Sequence, residues 1–487
     1  MSDLHHDHLY IGGAWVAPAT DARISVISPL TEAELGSTPE GAPADIDAAV
    51  IAARGALDGD WGRSTAAERA DVIDRLYALF LERSDDLANL ITAEVGSPLL
   101  FSHFGQVGAT GMALDYFAKL TRSFAFEEVR PGMMGPALVR HEPVGVCAGI
   151  VPWNVPLFIS ILKLAPALAS GSTIVLKPAP ETPLSANALA QMCIDAGVPD
   201  GVVNIVPAGR ETGQHLVTHP DVDKVSFTGS TAAGRKIGAA CGELLRRCTL
   251  ELGGKSAAII CDDADLDAIM PELIAASTMN NGQACVAQTR ILATRSRYDE
   301  VVEALTEAVA AIPVGDPANM ETGCGPLIAE RQRERVEGYI QAGRDEGARV
   351  TTGGGRPEGL DRGWFVEPTV FADVDNSMRI AQEEIFGPVL AVIAVDDADD
   401  AVRVANDSAY GLSGTVWTAD ADAGLDIARK VRTGTYTVNG FAMEWGAPFG
   451  GFKDSGVGRE LGPEGLAAYL ESKTINLPAG TEPTLAY

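Results

Sequence analysis

The chain of 487 residues has few histidines and no paired-cysteine motif. It contains 7 histidines, none after His219, and 7 cysteines, none of which forms a C-x-x-C pair. The odd cysteine number and the irregular spacings argue against a disulfide framework and against a zinc site. A cysteine hydrolase needs a histidine base, so the lack of histidine after His219 disfavours that class. Free thiols indicate a reducing compartment, and the sequence predicts a cytoplasmic protein without a metal.

Basic residues are scarce relative to acidic ones. The chain has 37 Lys and Arg against 66 Asp and Glu, which gives a formal net charge of −29 at pH 7. A protein that binds the phosphate backbone of a nucleic acid needs clustered Lys and Arg. The composition therefore disfavours nucleic acid as a partner, and it does not bear on the fold.

The sequence also lacks a clean apolar run of about 20 residues, the length that crosses a bilayer. Its most apolar stretch, 146–176, is interrupted by three prolines and by Asn154 and Lys163. We therefore expect a buried strand, turn and helix there and no membrane span. No basic region followed by an apolar one marks a signal peptide at the N-terminus. The histidines of this segment are expected to lie on a frayed, solvated tail without a metal; they are His5, His6 and His8.

Strand and helix patterns alternate from about residue 144. A capping-box pattern, Thr65-Ala66-Ala67-Glu68, predicts the start of an earlier helix. Strands that alternate with helices indicate parallel sheets with helices on both faces, so the expected fold class is α/β with two doubly wound domains. Ligands bind beyond the carboxyl ends of the strands in such sheets. The candidate strands are 144–151, 173–176, 203–206, 224–227, 256–261, 288–294 and 389–395, and the candidate helices are 157–168, 185–196 and 213–218.

Two motifs offer a nucleophile and a base. Cys285 ends the run Gly282-Gln283-Ala284-Cys285, and Glu251 begins the run Glu251-Leu252-Gly253-Gly254-Lys255, 34 residues earlier. A cysteine thiolate is a strong nucleophile, and a carboxylate can activate water. Taken alone, Cys285 could equally be a small buried hydrophobe, and Glu251 could be a helix cap or a solvated acid.

Other polar groups follow strand candidates. Asn154 could donate a hydrogen bond to an oxyanion, or it could be a turn asparagine. Gly229-Ser230 opens a helix, where backbone N–H groups can approach a phosphate, but a tight turn without a ligand has the same pattern. Lys177 could hold a ribose hydroxyl or a phosphate, or it could be an exposed lysine. Glu384 lies beside Phe386 in a loop that could be an ordinary acidic turn.

Together these segments resemble the aldehyde dehydrogenase superfamily. The resemblance covers nearly the whole chain, from Ile11-Gly12-Gly13 to Leu461-Gly462, and the order and spacing of the motifs match. It implies an oxidation of an aldehyde to a carboxylic acid with NAD(P)+. The matching motifs are Pro152-Trp153-Asn154, Lys177-Pro178, Phe227-Thr228-Gly229-Ser230, Glu251-Leu252-Gly253-Gly254, Gly282-Gln283-Ala284-Cys285, Glu384-Ile385-Phe386-Gly387-Pro388 and Pro448-Phe449-Gly450-Gly451.

The resemblance implies that Cys285 attacks the aldehyde. The resulting thiohemiacetal would lose a hydride to the nicotinamide and become a thioester. Asn154 and the backbone N–H of Cys285 would form the oxyanion hole, and Glu251 would activate the water that hydrolyses the thioester. Because an ionised Glu251 held against the sulfur would oppose thiolate formation, we expect the two side chains not to touch in the resting state.

The resemblance also implies a cofactor site. Lys177 would bind the adenosine ribose, Gly229 and Ser230 the pyrophosphate, and Glu384 and Phe386 the nicotinamide ribose and ring. The same site would be lined by Trp153 and Leu252. NAD-preferring relatives often carry a glutamate three residues after the lysine; here Pro180 occupies that position and Glu181 follows it. NAD is the expected cofactor, and NADP stays open.

The matching substrate channel is apolar. Apolar side chains favour a hydrophobic aliphatic or aromatic aldehyde over a dicarboxylic semialdehyde, although they could also be packing residues. Glu444 in the same region would instead favour a cationic aminoaldehyde. Lys163 and Glu460 match positions linked to proton transfer in relatives. The channel residues are Val155, Phe158, Leu162, Trp445 and Phe449.

The resemblance suggests a division of the chain. A cofactor-binding domain would take 1–121, 141–250 and 440–468, and a catalytic domain 251–439. Residues 122–140, an extended stretch with a turn at Pro131-Gly132, would form a small β extension with the tail 469–487. Because a two-stranded hairpin is marginal alone, pairing with another subunit is expected, and the resemblance implies a homodimer or homotetramer. A surface hairpin without a role is the alternative.

Two other activities fit the motifs less well. A coenzyme-A-acylating dehydrogenase passes the thioester to a thiol and not to water, so the presence of Glu251 argues against it. A catalytically idle structural relative is the second alternative. The joint retention of Cys285, Glu251 and Asn154 argues against that alternative.

Overall fold

The computed structural model describes residues 4–485, so residues 1–3 of the N-terminal segment and 486–487 of the predicted tail lie outside the described residues. The strands are β1 (Leu9–Ile11), β2 (Ala14–Val16), β3 (Arg23–Ile27), β4 (Glu34–Pro39), β5 (Glu127–Arg130), β6 (Ala137–Pro143), β7 (Val146–Ile150), β8 (Thr173–Lys177), β9 (Val203–Ile205), β10 (Lys224–Thr228), β11 (Arg247–Glu251), β12 (Ala257–Ile260), β13 (Arg290–Thr294), β14 (Arg349–Thr352), β15 (Thr369–Ala372), β16 (Val389–Val395), β17 (Gly414–Trp417), β18 (Thr437–Val438), β19 (Gly456–Val457) and β20 (Leu470–Asn476).

The helices are α1 (Pro43–Asp58), α2 (Ala66–Glu82), α3 (Ser84–Val95), α4 (Leu99–Phe101), α5 (Ala109–Ser123), α6 (Pro156–Ser170), α7 (Pro183–Asp195), α8 (Arg210–Thr218), α9 (Thr231–Glu243), α10 (Leu266–Thr278), α11 (Tyr298–Ala310), α12 (Glu330–Asp345), α13 (Arg379–Gln382), α14 (Ala398–Asn406), α15 (Ala421–Lys430) and α16 (Gly462–Ala467). A π-helical segment, Ser102–Gly108, joins α4 to α5.

Two large, mainly parallel sheets form the body of the protein. The first has eight strands in the order β19-β11-β10-β7-β8-β9-β1-β2, and its five central strands, from β11 to β9, are parallel. The second has seven strands in the order β14-β15-β16-β13-β12-β17-β18, and only β14 runs antiparallel to its neighbour. Crossover helices join the parallel strands, which confirms the predicted doubly wound α/β architecture.

Both faces of each large sheet are covered. In β7, Cys147 packs into one apolar core with α2, α5, α6 and α7, while Val146 and Ala148 pack into another with α1, α8 and α9. In β12, Ala257 and Ala258 likewise belong to different cores. Successive side chains of a strand point to opposite faces, so strands covered on both sides are nearly continuous apolar runs. This burial explains the apolar stretch at 146–176, which forms β7, α6 and β8. Among residues 4–485, no helix is both long and apolar enough to span a membrane.

A third sheet, β20-β6-β5, confirms that the hairpin and the tail pair with each other. The hairpin does not have the predicted bounds of 122–140, because α5 continues to Ser123 and β6 extends to Pro143. The predicted capping box is confirmed: Thr65 Oγ1 accepts from the N–H of Glu68 at 3.3 Å, and Glu68 Oε2 accepts from the N–H of Thr65 at 2.8 Å.

The prediction of a frayed N-terminal tail is wrong for the residues that the structure describes. The N–H of His6 donates to the carbonyl of Ser37 at 2.8 Å, and the N–H of Ser37 donates to the carbonyl of Leu4 at 3.1 Å. The ring of His6 stacks on Trp15 at 5.9 Å. The segment adds to the edge of β4, and that non-local pairing is not visible in its local composition.

Candidate active site

The carboxyl edge of the eight-stranded sheet gathers most of the predicted site. Lys177 ends β8, Glu251 ends β11, and Gly229-Ser230 directly follows β10. Asn154 lies four residues beyond the end of β7. Since β11, β10, β7 and β8 are consecutive neighbours in the sheet, these residues meet at one edge, as the topology of a parallel sheet predicts.

A left-handed turn places the cysteine. Asn280, Asn281 and Gly282 have φ angles of 53°, 61° and 72°. Asparagine and glycine tolerate this region better than other residues, and a run of three left-handed residues persists only where the surroundings hold it. The side chain of Asn281 supplies that support, because it donates to the carbonyls of Gly96 and Pro326 at 2.9 Å each and accepts from the N–H of Gly325 at 2.7 Å.

Two glycines let the cysteine loop approach its neighbours. A Cβ on Gly282 would collide with the backbone of Gly387, and a Cβ on Gly254 would collide with the carbonyl oxygen of Cys285. Both loops therefore need glycine at their point of closest approach. These contacts bring the loop that contains Glu384 and the loop after β11 against the cysteine loop.

Asn154 is buried and held on both sides. Its Nδ2 donates to the backbone carbonyl of Gln283 at 2.9 Å, and the backbone carbonyl of Asn154 accepts from Asn280 Nδ2 at 2.9 Å. An amide nitrogen carries two N–H donors. The bond to Gln283 orients the group beside the cysteine loop and uses one donor, so the second N–H can serve an oxyanion.

The surroundings of Cys285 disfavour the thiolate. Burial by the surrounding walls, followed by the charges of Glu384 and Glu251, raises the pKa of this thiol to about 12, although the N–H groups of Cys285 and Val286 oppose the shift. The side chain keeps a little contact with solvent. A positive charge brought next to the sulfur would reverse this trend.

Glu251 is 2% exposed, and neither carboxylate oxygen has a hydrogen-bond partner among residues 4–485. Neither oxygen therefore hydrogen-bonds the Cys285 sulfur. Burial raises the pKa of Glu251 well above its usual range, and the nearby Glu460 carboxylate raises it further, against the charges of Lys163 and Arg459. A buried carboxyl without partners is expensive, and such groups are concentrated at functional sites.

Lys163 and Glu460 form a buried ion pair beneath Glu251. Lys163 Nζ lies 2.9 Å from Glu460 Oε1, and the two side chains are 0% and 2% exposed. The ammonium also donates to Thr228 Oγ1 at 2.7 Å and to Ser226 Oγ at 3.3 Å. The structure therefore brings the two predicted relay residues together and adds two hydroxyl groups of β10.

The residues predicted to bind the nicotinamide half of the cofactor converge. The rings of Trp153 and Phe386 meet edge to face at 5.3 Å. Glu384 Oε1 accepts from the N–H of Gly254 at 2.9 Å, and a Cβ on Gly253 would crowd the same carboxylate. An acceptor carboxylate beside two aromatic edges and a glycine-lined wall suits a ribose and a flat ring.

The residues predicted for the other half lie nearby, with different partners. Lys177 is buried, so the alternative of an exposed lysine is wrong; its Nζ donates to the carbonyls of Pro178 and Ala208 at 2.8 and 2.9 Å. Burial lowers the pKa of Lys177 to about 8. The N–H of Gly229 donates to the carbonyl of Glu251 at 2.9 Å and is thereby occupied.

The start of α9 is the remaining candidate for phosphate binding. Ser230 caps this helix, since its Oγ accepts from the N–H of Ala233 at 3.3 Å. Leu252 packs under the helix, and a Cβ on Gly234 would collide with its side chain. The helix begins two residues after Gly229, whose N–H bonds the carbonyl of Glu251, so its N-terminus lies at this sheet edge, a suitable position for an anion.

The other wall of the Cys285 site is apolar. Phe158 and Trp445 meet edge to face at 6.0 Å. Leu162 is only 1% exposed and packs behind them. Val155 and Cys285 belong to the same apolar cluster as these residues, as does Phe449.

Three further side chains of this cluster were not recognised from the sequence: Tyr116, Phe441 and Met443. Tyr116 lies on α5, far from every motif, and only the fold brings it near. Phe441, Met443 and Trp445 alternate inward along one loop, while Glu444 is exposed and accepts from the N–H of Gly446 at 3.3 Å. The alternation along this loop was the one signal in the sequence that could have identified Phe441 and Met443.

One group of residues with metal-ligand chemistry lies together within residues 4–485, namely Asp47, His215 and His219. Asp47 Oδ1 is 2.6 Å from His215 Nε2 and 3.4 Å from His219 Nε2. The N–H of Asp221 donates to His219 Nδ1 at 3.1 Å. That bond leaves the proton of a neutral His219 on Nε2, facing the carboxylate, so the contacts are those of a hydrogen-bonded cluster.

Comparisons with known proteins agree with this geometry. The model of the aldehyde dehydrogenase family matches residues 15–475. The chain is 48% identical over 476 residues to the geranial dehydrogenase of Castellaniella defragrans, covering 97% of this chain and 99% of that protein.

Solved structures agree as well. The aldehyde dehydrogenase of Mycobacterium tuberculosis complexed with NAD+ superposes with a TM-score of 0.97 at 52% identity, over 99% of this chain and 100% of that one. A mutant aldehyde dehydrogenase C of Pseudomonas syringae, complexed with NAD+ and octanal, gives a TM-score of 0.95 at 40% identity over 98% of both chains. The motifs, the fold and these likenesses together place the chain in the aldehyde dehydrogenase family.

Proposed function

We propose that the protein oxidises a hydrophobic aldehyde to its carboxylic acid with NAD+, through covalent intermediates on Cys285. The position of Cys285 carries this proposal. Its sulfur lies where the apolar cluster meets the pocket of Trp153, Glu384 and Phe386, and a buried carboxyl without partners, Glu251, lies close enough to influence its pKa.

The residues of the pocket fit NAD. Glu384 would hold the nicotinamide ribose, Phe386 and Trp153 would contact the ring, and Lys177 with the start of α9 would take the adenosine ribose and the pyrophosphate. When bound, NAD+ supplies the hydride acceptor and a positive charge. Burial, Glu384 and Glu251 disfavour the thiolate of Cys285, and a positive charge next to the sulfur would favour it.

In the first half-reaction, Cys285 attacks the carbonyl carbon as a thiolate. The carbonyl oxygen becomes an oxyanion, and the free N–H of Asn154 and the N–H of Cys285 stabilise it. Each oxyanion-hole donor contributes about 3 kcal/mol in well-studied acyl-transfer enzymes. Departure of hydride then converts the thiohemiacetal into a thioester on Cys285.

In the second half-reaction, Glu251 acts as the general base. Its carboxylate takes a proton from a water molecule, which attacks the thioester carbon and releases the acid and the Cys285 thiolate. The raised pKa of Glu251 makes its carboxylate a stronger base than an exposed one. Glu460 then accepts the proton and passes it on, while the Lys163 ammonium, which donates to Glu460 at 2.9 Å, holds that carboxylate in place. A coenzyme-A-acylating enzyme would need no such base. A catalytically idle relative would need neither Cys285 nor Glu251.

The apolar wall supports a hydrophobic aldehyde. Phe158, Trp445, Phe441 and Met443 offer no cation for a second carboxylate on the substrate. Glu444, the acid that would favour an aminoaldehyde, is exposed and bonded within its own loop. The similarity to a geranial dehydrogenase and to an enzyme crystallised with octanal points the same way.

NAD is favoured over NADP by the acids around Lys177. Glu181 and Glu40 both lie near enough to raise the pKa of this lysine. Glu181 is paired with Arg331 at 2.5 Å. A 2′-phosphate would add negative charge beside these carboxylates. The likeness to enzymes crystallised with NAD+ supports the same choice.

The first prediction concerns activity. The purified protein should raise absorbance at 340 nm with octanal and NAD+ in the absence of coenzyme A. It should prefer medium-chain and aromatic aldehydes to succinate semialdehyde, and NAD+ to NADP+ at equal concentration by about tenfold or more in kcat/KM, the effect of about 1.4 kcal/mol. A clear preference for succinate semialdehyde would overturn the substrate class, and no reaction across a broad panel would favour an idle relative.

We assign cofactor binding to the unit that contains the eight-stranded sheet (1–121, 141–250 and 440–468) and catalysis to the unit of 251–439. We also propose that the β20-β6-β5 sheet joins subunits. Its outer strands, β20 and β5, each have an unpaired edge in the described chain, and Met133 and Met134 in the hairpin turn are exposed. Such an edge readily pairs with another chain.

The second prediction concerns assembly. Light scattering should give the mass of two or four subunits. Replacing both Met133 and Met134 by serine should weaken the assembly without lowering the melting temperature of the body by more than a few degrees. A monomer at micromolar concentration would contradict this role of the sheet.

A further inference from the structure

A chain of buried polar side chains leads from the π-helical segment to the oxyanion-hole asparagine. Gln106 lies in that segment, Ser97 follows α3, and Asn280 lies in the left-handed turn before the cysteine. Gln106 and Ser97 are 0% exposed, Asn280 is 2% exposed and Asn154 is 5% exposed. We call Gln106, Ser97 and Asn280 the Ser97 network. Its members come from separate parts of the sequence, and only the fold brings them together.

The hydrogen bonds of the Ser97 network have one consistent direction. Gln106 Nε2 donates to Ser97 Oγ at 3.0 Å, and an amide nitrogen can only donate. The Ser97 hydroxyl therefore keeps its own proton for another acceptor, and it donates to Asn280 Oδ1. That bond fixes which end of the Asn280 amide is the oxygen, so the Nδ2 end points to the other side, toward Asn154.

Asn280 Nδ2 holds Asn154 in two ways. It donates to the backbone carbonyl of Asn154 at 2.9 Å and to the backbone carbonyl of Gln283 at 3.3 Å. The same Gln283 carbonyl accepts from Asn154 Nδ2 at 2.9 Å. Both the backbone of Asn154 and the acceptor that orients its side chain are therefore bound by one amide. The direction of the second Asn154 N–H, which serves the oxyanion, depends on where Asn280 lies.

The π-helical segment places a polar side chain inside and an apolar one outside. Gln106 is fully buried, whereas Phe104 is 72% exposed, the reverse of what hydrophobic burial alone would give. Gln106 Oε1 has no hydrogen-bond partner among residues 4–485, and a buried polar atom without a partner costs free energy. Segments of π-helix are rare and are frequent at functional sites. A costly polar side chain in such a segment points to a role in function and not in stability.

We propose that Ser97 is a positioning residue for the oxyanion hole, acting through Asn280 on Asn154. Its hydroxyl orients the Asn280 amide, and that amide holds the Asn154 N–H toward the carbonyl oxygen of the substrate. The inference rests on the proposed function and adds to it the connection between α3 and α4. Because an oxyanion develops when Cys285 attacks and again when water attacks, loss of the Ser97 hydroxyl should slow both half-reactions.

The test is a double-mutant cycle of Ser97→Ala and Asn154→Ala. The rate of the NADH burst is measured by stopped-flow mixing of enzyme, NAD+ and octanal. Asn154→Ala should lower this rate by about 10²- to 10³-fold, the effect of one oxyanion-hole donor. Ser97→Ala should lower the rate by about tenfold, because a slightly displaced donor loses part of its effect, while the affinity for NAD+ should stay within about twofold.

The decisive value is the effect of Ser97→Ala in the Asn154→Ala background. The group that Ser97 positions is absent there, so the second substitution should lower the burst rate by less than about twofold. General damage to the fold would instead slow both backgrounds by the same factor. The cycle therefore separates positioning of Asn154 from a merely structural role of Ser97.

Ser102→Ala is the matched control. Ser102 is also 0% exposed and lies in the π-helical segment, where its Oγ accepts from Thr92 Oγ1 at 2.8 Å. Its replacement removes one buried hydroxyl from the same stretch of chain without removing a member of the Ser97 network. The burst rate of this variant should stay within about twofold of the wild type.

A second variant of the network covers the case in which Ser97→Ala does not fold. Gln106→Met removes the donor to Ser97 and keeps the bond from Ser97 to Asn280. It should slow the burst in the same direction by a smaller factor, and this effect should also disappear in the Asn154→Ala background.

The outcomes distinguish this inference from the proposed function. A wild type without an NADH burst would show that the proposed oxidation itself is wrong. Where the wild type gives a burst, a loss of rate in Ser97→Ala that disappears in the Asn154→Ala background supports the role of Ser97. That role is wrong if Ser97→Ala behaves like Ser102→Ala, or if it slows both backgrounds equally.

Discussion

Replacing Cys285 by alanine is expected to abolish NADH formation, lowering kcat by at least about 10⁴-fold. Removal of the nucleophile of an acyl-transfer site costs on this order, because the covalent intermediate can no longer form. The substitution should lower turnover. The affinity for NAD+, measured by quenching of protein fluorescence, should change little. The alanine side chain is smaller than the thiol and fits the same space.

Cys261 provides the matched control for this variant. It is half-buried, like Cys285, but it follows β12 at a distance from the motifs. Cys261→Ala should keep wild-type turnover within about twofold. Residual activity in Cys285→Ala above a hundredth of the wild type would show that another residue is the nucleophile.

Replacing Glu251 by glutamine is expected to uncouple the two half-reactions. NADH should form rapidly to about one equivalent per subunit, and turnover should then fall by about 10²- to 10⁴-fold, the usual contribution of a general base. Glutamine is nearly isosteric and neutral, so the thiol of Cys285 should ionise more readily, because the charge of Glu251 raises its pKa. The burst therefore should not slow.

The pH dependence of this variant has a definite sign. In the wild type, kcat should rise with pH as the Glu251 carboxyl loses its proton, and the midpoint should lie well above the usual range of a glutamate because burial and Glu460 raise its pKa. The Glu251→Gln variant should lack this rise of kcat with pH. The control variant Glu367→Gln should retain the rise. It changes a partly buried carboxylate that accepts from the N–H of Gly355 at 3.1 Å.

Much of the site could be predicted from the sequence because each part follows a strand. Lys177 and Glu251 end two strands, and Asn154 and Ser230 follow two others; the four strands are neighbours in one parallel sheet, whose carboxyl ends lie at one edge. The motif around Cys285 added the nucleophile. Gly254 and Gly282, at the points where two loops approach each other most closely, show why the spacing of these motifs is so restricted.

Other parts depend on contacts that local patterns do not encode. Tyr116 reaches the site from α5, and Ser226 contacts Lys163 from β10. Both are ordinary members of their own segments. Gly229 shows another such contact, since the sheet edge occupies its N–H with the carbonyl of Glu251.

One measurement tests the central claim, that Cys285 carries the acyl group and Glu251 removes it. Glu251→Gln is mixed with NAD+ and octanal, quenched in acid after the burst, digested and analysed by mass spectrometry. The account predicts that the peptide containing Cys285 gains the mass of one octanoyl group in most subunits, while the wild type treated in the same way shows little. An unmodified Cys285 after a full NADH burst, or an acyl group on a different residue, would contradict it.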